Sequence, residues 1–469
     1  MEFQKKLSVT ETPIPGVLLF DLPVHGDNRG WFKENWQRER MLAAGLPDFG
    51  PVQNNISFND KAGTTRGIHA EPWDKFVSVA CGRIFGAWVD LREGPTFGTV
   101  FTAELDAGKA IYIPRGVANS YQTLEDDTSY VYLVNDHWSA DAEYTFLNLA
   151  DETVSIPWPI PLEQAELSDK DKAHPRLKDV VPMPPRRTLV LGAGGQLGKA
   201  LRAAYEGDTS VEFADRADFD VSDPASFAGR NWRRYSAIIN AAAYTAVDEA
   251  ETDEGRSAAW ALNVTAVAEL AKISARYGLV LVHISSDYVF DGSMKSHSED
   301  EGPAPLGVYG QTKAAGDAVV SVVPSHYIVR TSWVIGEGSN FVRTMAALAA
   351  KGVAPTVVDD QVGRLTFAED LAAGIRHLLS VKAPFGIYNL TNDGEPQSWA
   401  DVAADVFELV GASRGDVTGV STEDYFRGKA AAPRPLNSVL ALDKIQATGF
   451  QPRHVKAALA DYLADHPAH

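Results

Sequence analysis

The sequence predicts two domains of different class: an all-β barrel or sandwich over residues 1–174, and an α/β domain with a helix-wrapped parallel sheet over residues 187–469. Two contrasts along the chain, and its length, carry this prediction. The first portion is broken by Gly, Pro, Asp and Asn into many short apolar runs, as antiparallel strands joined by tight turns are. The later portion alternates apolar runs with alanine-rich stretches, the pattern of parallel strands bridged by helices. At 469 residues the chain also exceeds what one hydrophobic core organises.

Taken in order, FVSVACGRIFGAWVDLR, GTVFTAEL, KAIYIPRG and SYVYLVNDHW are the strand candidates of the first domain. The run HPRLKDVVPMPPRR follows, where Pro175, Pro182, Pro184 and Pro185 remove backbone donors and favour extended chain, so a linker is expected at 175–186. Beyond it, RTLVLGAGG, SAIINAAAY, GLVLVHISSDYVF and HYIVRTSW are expected as sheet strands and ALNVTAVAELAKISARY as an intervening helix. The halves share no repeat, so a fusion of unrelated folds is the simpler account.

Composition narrows the function. A formal charge of −19 repels nucleic-acid backbones, so no nucleic-acid partner is expected. No apolar run approaches the roughly 20 residues a membrane-crossing helix needs, and the amino terminus lacks a secretory pattern, so a cytoplasmic protein is expected. Cys81 is the sole cysteine, which excludes an internal disulfide and a cysteine-built metal site. His25, His69, His137 and His174 are scattered rather than set at ligand spacing, so no metal is expected, and nothing supports the one cation left open, Mg²⁺.

Two patterns carry chemistry in the second domain. LVLGAGGQLGKAL sets Gly192, Gly195 and Gly198 after an apolar strand and at the opening of a helix, where a pyrophosphate can approach backbone amides. In VYGQTK, Tyr309 and Lys313 stand at i and i+4 on one helix face, and an ammonium beside a phenol favours phenolate. Ser286 could hydrogen-bond the same carbonyl oxygen that the phenol protonates.

GAGGQLG, INAAAYTAVDEAE, SSDYVFDG, YGQTK, RTSWVIGEGSNFV and VVDDQVGR resemble the dTDP-4-dehydrorhamnose reductase family of the short-chain dehydrogenase/reductase superfamily. The resemblance implies a Rossmann-type sheet with a small substrate-binding subdomain and a catalytic trio of Ser286, Tyr309 and Lys313. It implies cofactor contacts at Gly192, Gly195, Gln196, Leu197, Asp220, Val221, Ala242, Ala243 and Thr245, besides Tyr309 and Lys313, and substrate contacts at Trp333 and Asn340. Asp215 disfavours a 2′-phosphate and Arg216 welcomes one, so NADPH is favoured over NADH with both open.

In the first domain, GDNRGWFKENW, VQNNISFNDKAGTTRGIH, DLREGPTFG, YIPRG, YVYL and SDKD resemble the dTDP-4-dehydrorhamnose 3,5-epimerase family, whose fold is a dimeric cupin-like (jelly-roll) barrel. Residue pattern alone leaves His69 a core histidine. Arg66 and His69, three apart, would face opposite ways on a regular strand, and a bulge at Gly67 could bring both inward. The resemblance implies His69 as a base, Asp171 as its carboxylate partner and Tyr132 as the acid on the opposite face. It also implies substrate contacts at Arg29, Phe32, Glu34, Gln53, Asn55, Arg66, Lys75, Asn119 and Trp138. Asn119 and Trp138 stand where the family usually has histidine and tyrosine, and the loop after His69 is shortened to AEPWDK.

The expected function is therefore two consecutive reactions on a dTDP-linked 4-keto-6-deoxyhexose, 3,5-epimerisation and then reduction of the C4 ketone, in a homodimer paired through the barrel. A second reading stays open here, in which only the reductase turns over and the barrel binds nucleotide or dimerises.

Overall fold

Every residue of the strand Ile84–Asp90 is buried, which requires cover on both faces of its sheet. The computed structural model describes residues 6–139 and 142–467, and the chain divides into two units, Met1–Pro185 and Arg186–His469. In the first unit the strand lies in a five-stranded antiparallel sheet that faces a six-stranded one. Ile84 and Trp88 pack between the sheets with Val77, Val79 and Ile111 of the other sheet. Phe85, Ala87 and Val89 point the opposite way and are covered by Leu147, Leu149, Val154, Leu177, Val180 and Met183.

The last three of these correct the expected linker. Leu177, Val180 and Met183 recur every third residue and dock on the sheet, while Met183 N–H donates to Leu91 O and Glu93 N–H donates to Met183 O. The proline run is thereby part of the first unit as far as Pro185. Prolines excluded it from a sheet interior, but its apolar side chains still had a surface to cover.

The second unit is built on a six-stranded parallel sheet, ordered Val211–Ala214, Arg187–Leu191, Tyr235–Asn240, Val280–Ser286, His326–Thr331 and Gly386–Asn389. Leu189, Leu281 and Ile328 meet the helices Ala266–Tyr277 and Val308–Val320 on one face. Val190, Ile239, Val282 and Val329 meet Gln196–Ala204 and Ala368–Ser380 on the other. A separate cluster around Val342, Leu365, Val402, Val406 and Leu459 forms a further small core. Among the described residues, no helix is long and apolar enough to cross a membrane.

Candidate active sites

The site in the first unit begins at a bulge. Strand Thr65–Ala70 pairs with Val117–Thr123 so that Arg66 opposes Tyr121 and His69 opposes Asn119, leaving two residues, Gly67 and Ile68, against Ser120 alone. The extra residue returns Arg66 and His69 to one face. Gly67 permits the close approach: its φ is +125°, and a Cβ there would lie 2.5 Å from that of Ser120.

His69 lines a cavity of about 900 Å³ with Gln53, Asn55, Glu71, Tyr132 and Trp138. Its Nε2 lies 3.0 Å from Oδ1 of Asp171, carried by the short helix Asp169–Lys172 that Ser168 caps. A charged carboxylate can only accept, so Nε2 carries the hydrogen, and in the neutral form of the ring the lone pair is on Nδ1. Burial pushes the Asp171 carboxyl up, but the hydrogen bond and charge of His69, with the Gly67 N–H, outweigh it and hold the group below its ordinary value.

Tyr132, on strand Thr128–Val134, lines the same cavity. Burial, reinforced by the Glu71 and Tyr121 charges and opposed by Arg66, holds its phenol above the ordinary value, so it keeps its proton at neutral pH. The Lys75 ammonium stands 4.9 Å from the centre of the Tyr132 ring and pairs with the Glu71 carboxylate. The cavity is thus lined by an imidazole and a protonated phenol, a candidate base and a candidate acid, while the expected contact Lys75 is buried behind the lining, paired with Glu71 beside the phenol ring.

In the second unit, strand Arg187–Leu191 lies between its second and third strands, and the loops leaving it and Tyr235–Asn240 diverge around a cavity of about 590 Å³. Gly192, Gly195, Asp220, Val221, Ala242 and Ala243 line it. Gly192 has φ +76°, and a Cβ there would sit 2.6 Å from Ala242 N; one on Gly198 would sit 2.3 Å from Gly192 O. Glycine is therefore required for the turn and the helix Gln196–Ala204 to close on each other, which sets a helix amino terminus against the cavity. Gly198→Ala is expected to destabilise this unit by about 1–3 kcal/mol, because the new methyl meets backbone that cannot yield. Denaturant unfolding with and without NADPH checks this, and unchanged curves would refute it.

Arg216, with an 86% exposed side chain, stands at the cavity rim beside Asp220, its Nε 3.1 Å from Oδ2. Tyr244 of the cavity wall and Tyr309 pack on one small cluster of Ala250, Ala259 and Val308. Asn263 ties the parts together, accepting from Tyr244 N–H and donating to Tyr244 O and to Thr312 Oγ1.

The Tyr309–Lys313 expectation needs correction. Burial pushes the Tyr309 phenol up to about 12, opposed by the Ser286 hydroxyl and reinforced by Asp287 and Asp317. Lys313 does not make it acidic, because its ammonium donates to Ile284 O at 2.6 Å and lies 3.4 Å from His283 Nε2. Burial lowers that ammonium to about 8, partly offset by Asp317.

The family model described as RmlD substrate binding domain matches residues 186–467, and the one described as dTDP-4-dehydrorhamnose 3,5-epimerase matches residues 11–179. A protein named RmlC homolog from Streptococcus pyogenes is 52% identical over 192 residues, 39% of this chain and 96% of the relative. The chain belongs to both families. The dTDP-4-dehydrorhamnose reductase of Mycobacterium tuberculosis is 38% identical over 289 residues, 59% of this chain and 92% of the relative. A crystal structure of that reductase from Bacillus anthracis in complex with NADP superposes with a TM-score of 0.54 at 33% identity, covering 60% of this chain and 99% of the other.

In the epimerase unit, the cavity gathers His69, Tyr132, Gln53, Asn55 and Trp138. Asn119 corrects the expectation. Its amide accepts from Trp88 Nε1 and joins the Tyr130 hydroxyl, so it braces the interior instead of lining the cavity. Arg66 is exposed and donates to Asn59 Oδ1. Arg29, Phe32 and Glu34 lie on or just after the exposed hairpin of strands Val24–Asp27 and Gly30–Lys33, where Arg29 pairs with Asp27 and Glu34 with Arg40. Sequence reasoning missed Glu71 and His174. The second lies three residues beyond Asp171 and packs its ring 5.2 Å from that of His69, so histidines scattered in sequence meet in space.

In the reductase unit, Gly192, Gly195, Asp220, Val221, Ala242 and Ala243 line the dinucleotide cavity, while Gln196 lines a neighbouring one. The Leu197 side chain belongs to the core, leaving only its backbone for a ligand, and Thr245 is exposed outside the cavity lining. Trp333 stacks on Trp399 at 3.7 Å, and Asn340 caps the helix Phe341–Ala350 while donating to Tyr462, so both act in packing here. Sequence reasoning also missed the buried support beneath Lys313: His283, Asn263 and the Asp317–Arg330 pair.

Proposed function

We propose that the chain converts dTDP-4-dehydro-6-deoxy-D-glucose to dTDP-L-rhamnose in two steps, 3,5-epimerisation in the first unit and NADPH-dependent reduction of the C4 ketone in the second. The observation that supports this is the presence, in one chain, of an imidazole held by a carboxylate and of a protonated phenol that shares a packing cluster with the wall of the glycine-turn cavity. The finer folds fit: the facing antiparallel sheets read as a cupin-type barrel and the parallel sheet as a Rossmann-type one. A barrel that merely binds nucleotide is not favoured, and the His69–Asp171 contact with Tyr132 in the same cavity supports turnover.

A ketone acidifies the hydrogens on both adjacent carbons. His69 Nδ1 removes one while Asp171 stabilises the resulting imidazolium. Tyr132 then delivers a proton from the other face. In the second unit the glycine turn, the helix terminus and Arg216 suit a phosphorylated dinucleotide, and bound NADPH supplies the hydride for the ketone carbon. Tyr309 gives its proton to the ketone oxygen, with Ser286 hydrogen-bonding that oxygen.

A phenol at about 12 is protonated throughout the neutral range, as reduction requires, and the charged Lys313 is proposed to act by holding the cofactor. Because Lys313 loses its proton near 8, NADPH oxidation is expected to fall as pH rises past that value. An initial-rate profile from pH 6 to 10 checks this, and a rate still climbing above pH 9 would count against it.

The barrel is proposed to form the homodimer. Ile56 and Phe58, 69% and 55% exposed, stand on the edge strand Gln53–Asn59, and Phe32 is 69% exposed on the hairpin. A second copy covering these would place the hairpin's Arg29 and Phe32 near a neighbouring cavity. Phe58→Asp is expected to shift the protein from dimer to monomer in analytical ultracentrifugation, and an unchanged mass would exclude this surface. The decisive assay incubates the chain with the keto sugar nucleotide and NADPH and identifies the sugar by NMR; a product lacking inversion at C3 and C5 would overturn the two-step reading.

A further inference from the structure

We propose that His69, Asp171 and His174 together form a site for one divalent transition-metal ion, zinc above all, and that its occupation switches the epimerase off. The three side chains offer ligand atoms that all lie within 4.8 Å of one another. Asp171 Oδ1 is shared: His69 Nε2 lies 3.0 Å from it and His174 Nε2 3.9 Å. With zinc–ligand bonds of about 2.0–2.2 Å, neighbouring ligands of a tetrahedral ion stand roughly 3.3 Å apart, a value these two separations bracket.

A second observation is independent of that cluster. His174 is 91% buried (9% exposed), yet neither ring nitrogen makes a hydrogen bond of normal geometry, although the Leu147 backbone lies close enough to polarise the ring. A buried polar group left unpaired is costly, and a metal ion would satisfy this one. Phe146 fixes both rings, stacked on His174 at 4.7 Å and edge-on to His69 at 5.6 Å. Of the three, His69 alone lines the cavity, so the proposed ion would sit behind the imidazole, on the side away from the substrate. Two imidazoles and one carboxylate suit Zn²⁺ or Co²⁺ and not Mg²⁺, which prefers an all-oxygen octahedron.

The consequence for catalysis follows from the tautomer and rests on His69 being the base. An imidazole bound to metal through Nε2 carries its hydrogen on Nδ1, and the lone pair that would attack the substrate is gone. Zinc and proton abstraction therefore exclude each other, while the dinucleotide site shares no residue with the metal site.

The test uses the full chain. Zn²⁺ titrated by calorimetry, and Co²⁺ followed by its visible absorption, should reveal one site per chain that His174→Asn weakens at least tenfold. If that variant fails to fold, His69→Asn, at a more exposed position, supplies the same comparison. Stoichiometric Zn²⁺ should suppress solvent-deuterium exchange into the keto sugar at least tenfold, reversibly by chelator, and leave NADPH oxidation by the epimerised ketone unchanged. His174→Asn, compared with its own zinc-free rate, should lose no exchange at the same Zn²⁺ concentration. No binding, or isotherms that neither substitution alters, overturns the site. Zinc binding that His174→Asn weakens but that leaves exchange untouched keeps the site and refutes both the switch and His69 as the base.

Discussion

Replacing Tyr309 by phenylalanine is expected to slow NADPH oxidation by the epimerised keto sugar roughly 10²–10⁴-fold, the usual contribution of a positioned general acid. The substitution removes one hydroxyl and leaves the ring, whose contacts with Tyr288 at 5.5 Å and with the Ala250, Ala259 and Val308 cluster persist. Ser286→Ala is a less clean test, because the Ser286 hydroxyl also donates to Asp287 and accepts from Tyr288 N–H, holding the turn after the strand. Deuterium exchange catalysed by the other unit should be unaffected, which separates loss of the acid from general damage. A rate within threefold of the parent would remove Tyr309 from the mechanism.

Much of the scaffold was legible because it depends on local pattern. The alternation of apolar strands and alanine-rich helices in the second half reappears as the parallel sheet, and the glycine turn sits where a Cβ would strike Ala242. What escaped the sequence depends on long-range pairing. Tyr309 and Lys313 do share a helix face, but the partner of the ammonium is a strand-end carbonyl, Ile284 O, whose capture no i, i+4 rule foresees. Asn119 could be read as a ligand contact until the fold brought Trp88 and Tyr130 to both ends of its amide. The proline run was read by what proline forbids, whereas Leu177, Val180 and Met183 decided where it lies. His174 had no signal of its own; only the fold brings it beside His69.

His69→Ala is expected to abolish deuterium exchange from solvent into the keto sugar, a loss of at least 10²-fold, since among the described residues no other cavity group is an imidazole held by a carboxylate. Asp171→Asn should cost less, because an amide oxygen can still accept from Nε2 but carries no charge to offset the imidazolium. Both variants should oxidise NADPH normally when given ketone that is already epimerised. That pair of results allows a sharper experiment. Mixed with Tyr309→Phe, His69→Ala should restore conversion of the unepimerised substrate, because each chain then supplies the step the other lacks. Recovery that rises with protein concentration means that the ketone leaves one chain before entering another. If mixing restores nothing while each variant keeps its own partial reaction, the intermediate must pass within a single assembly, and fusing the two units gains a catalytic purpose beyond co-expression.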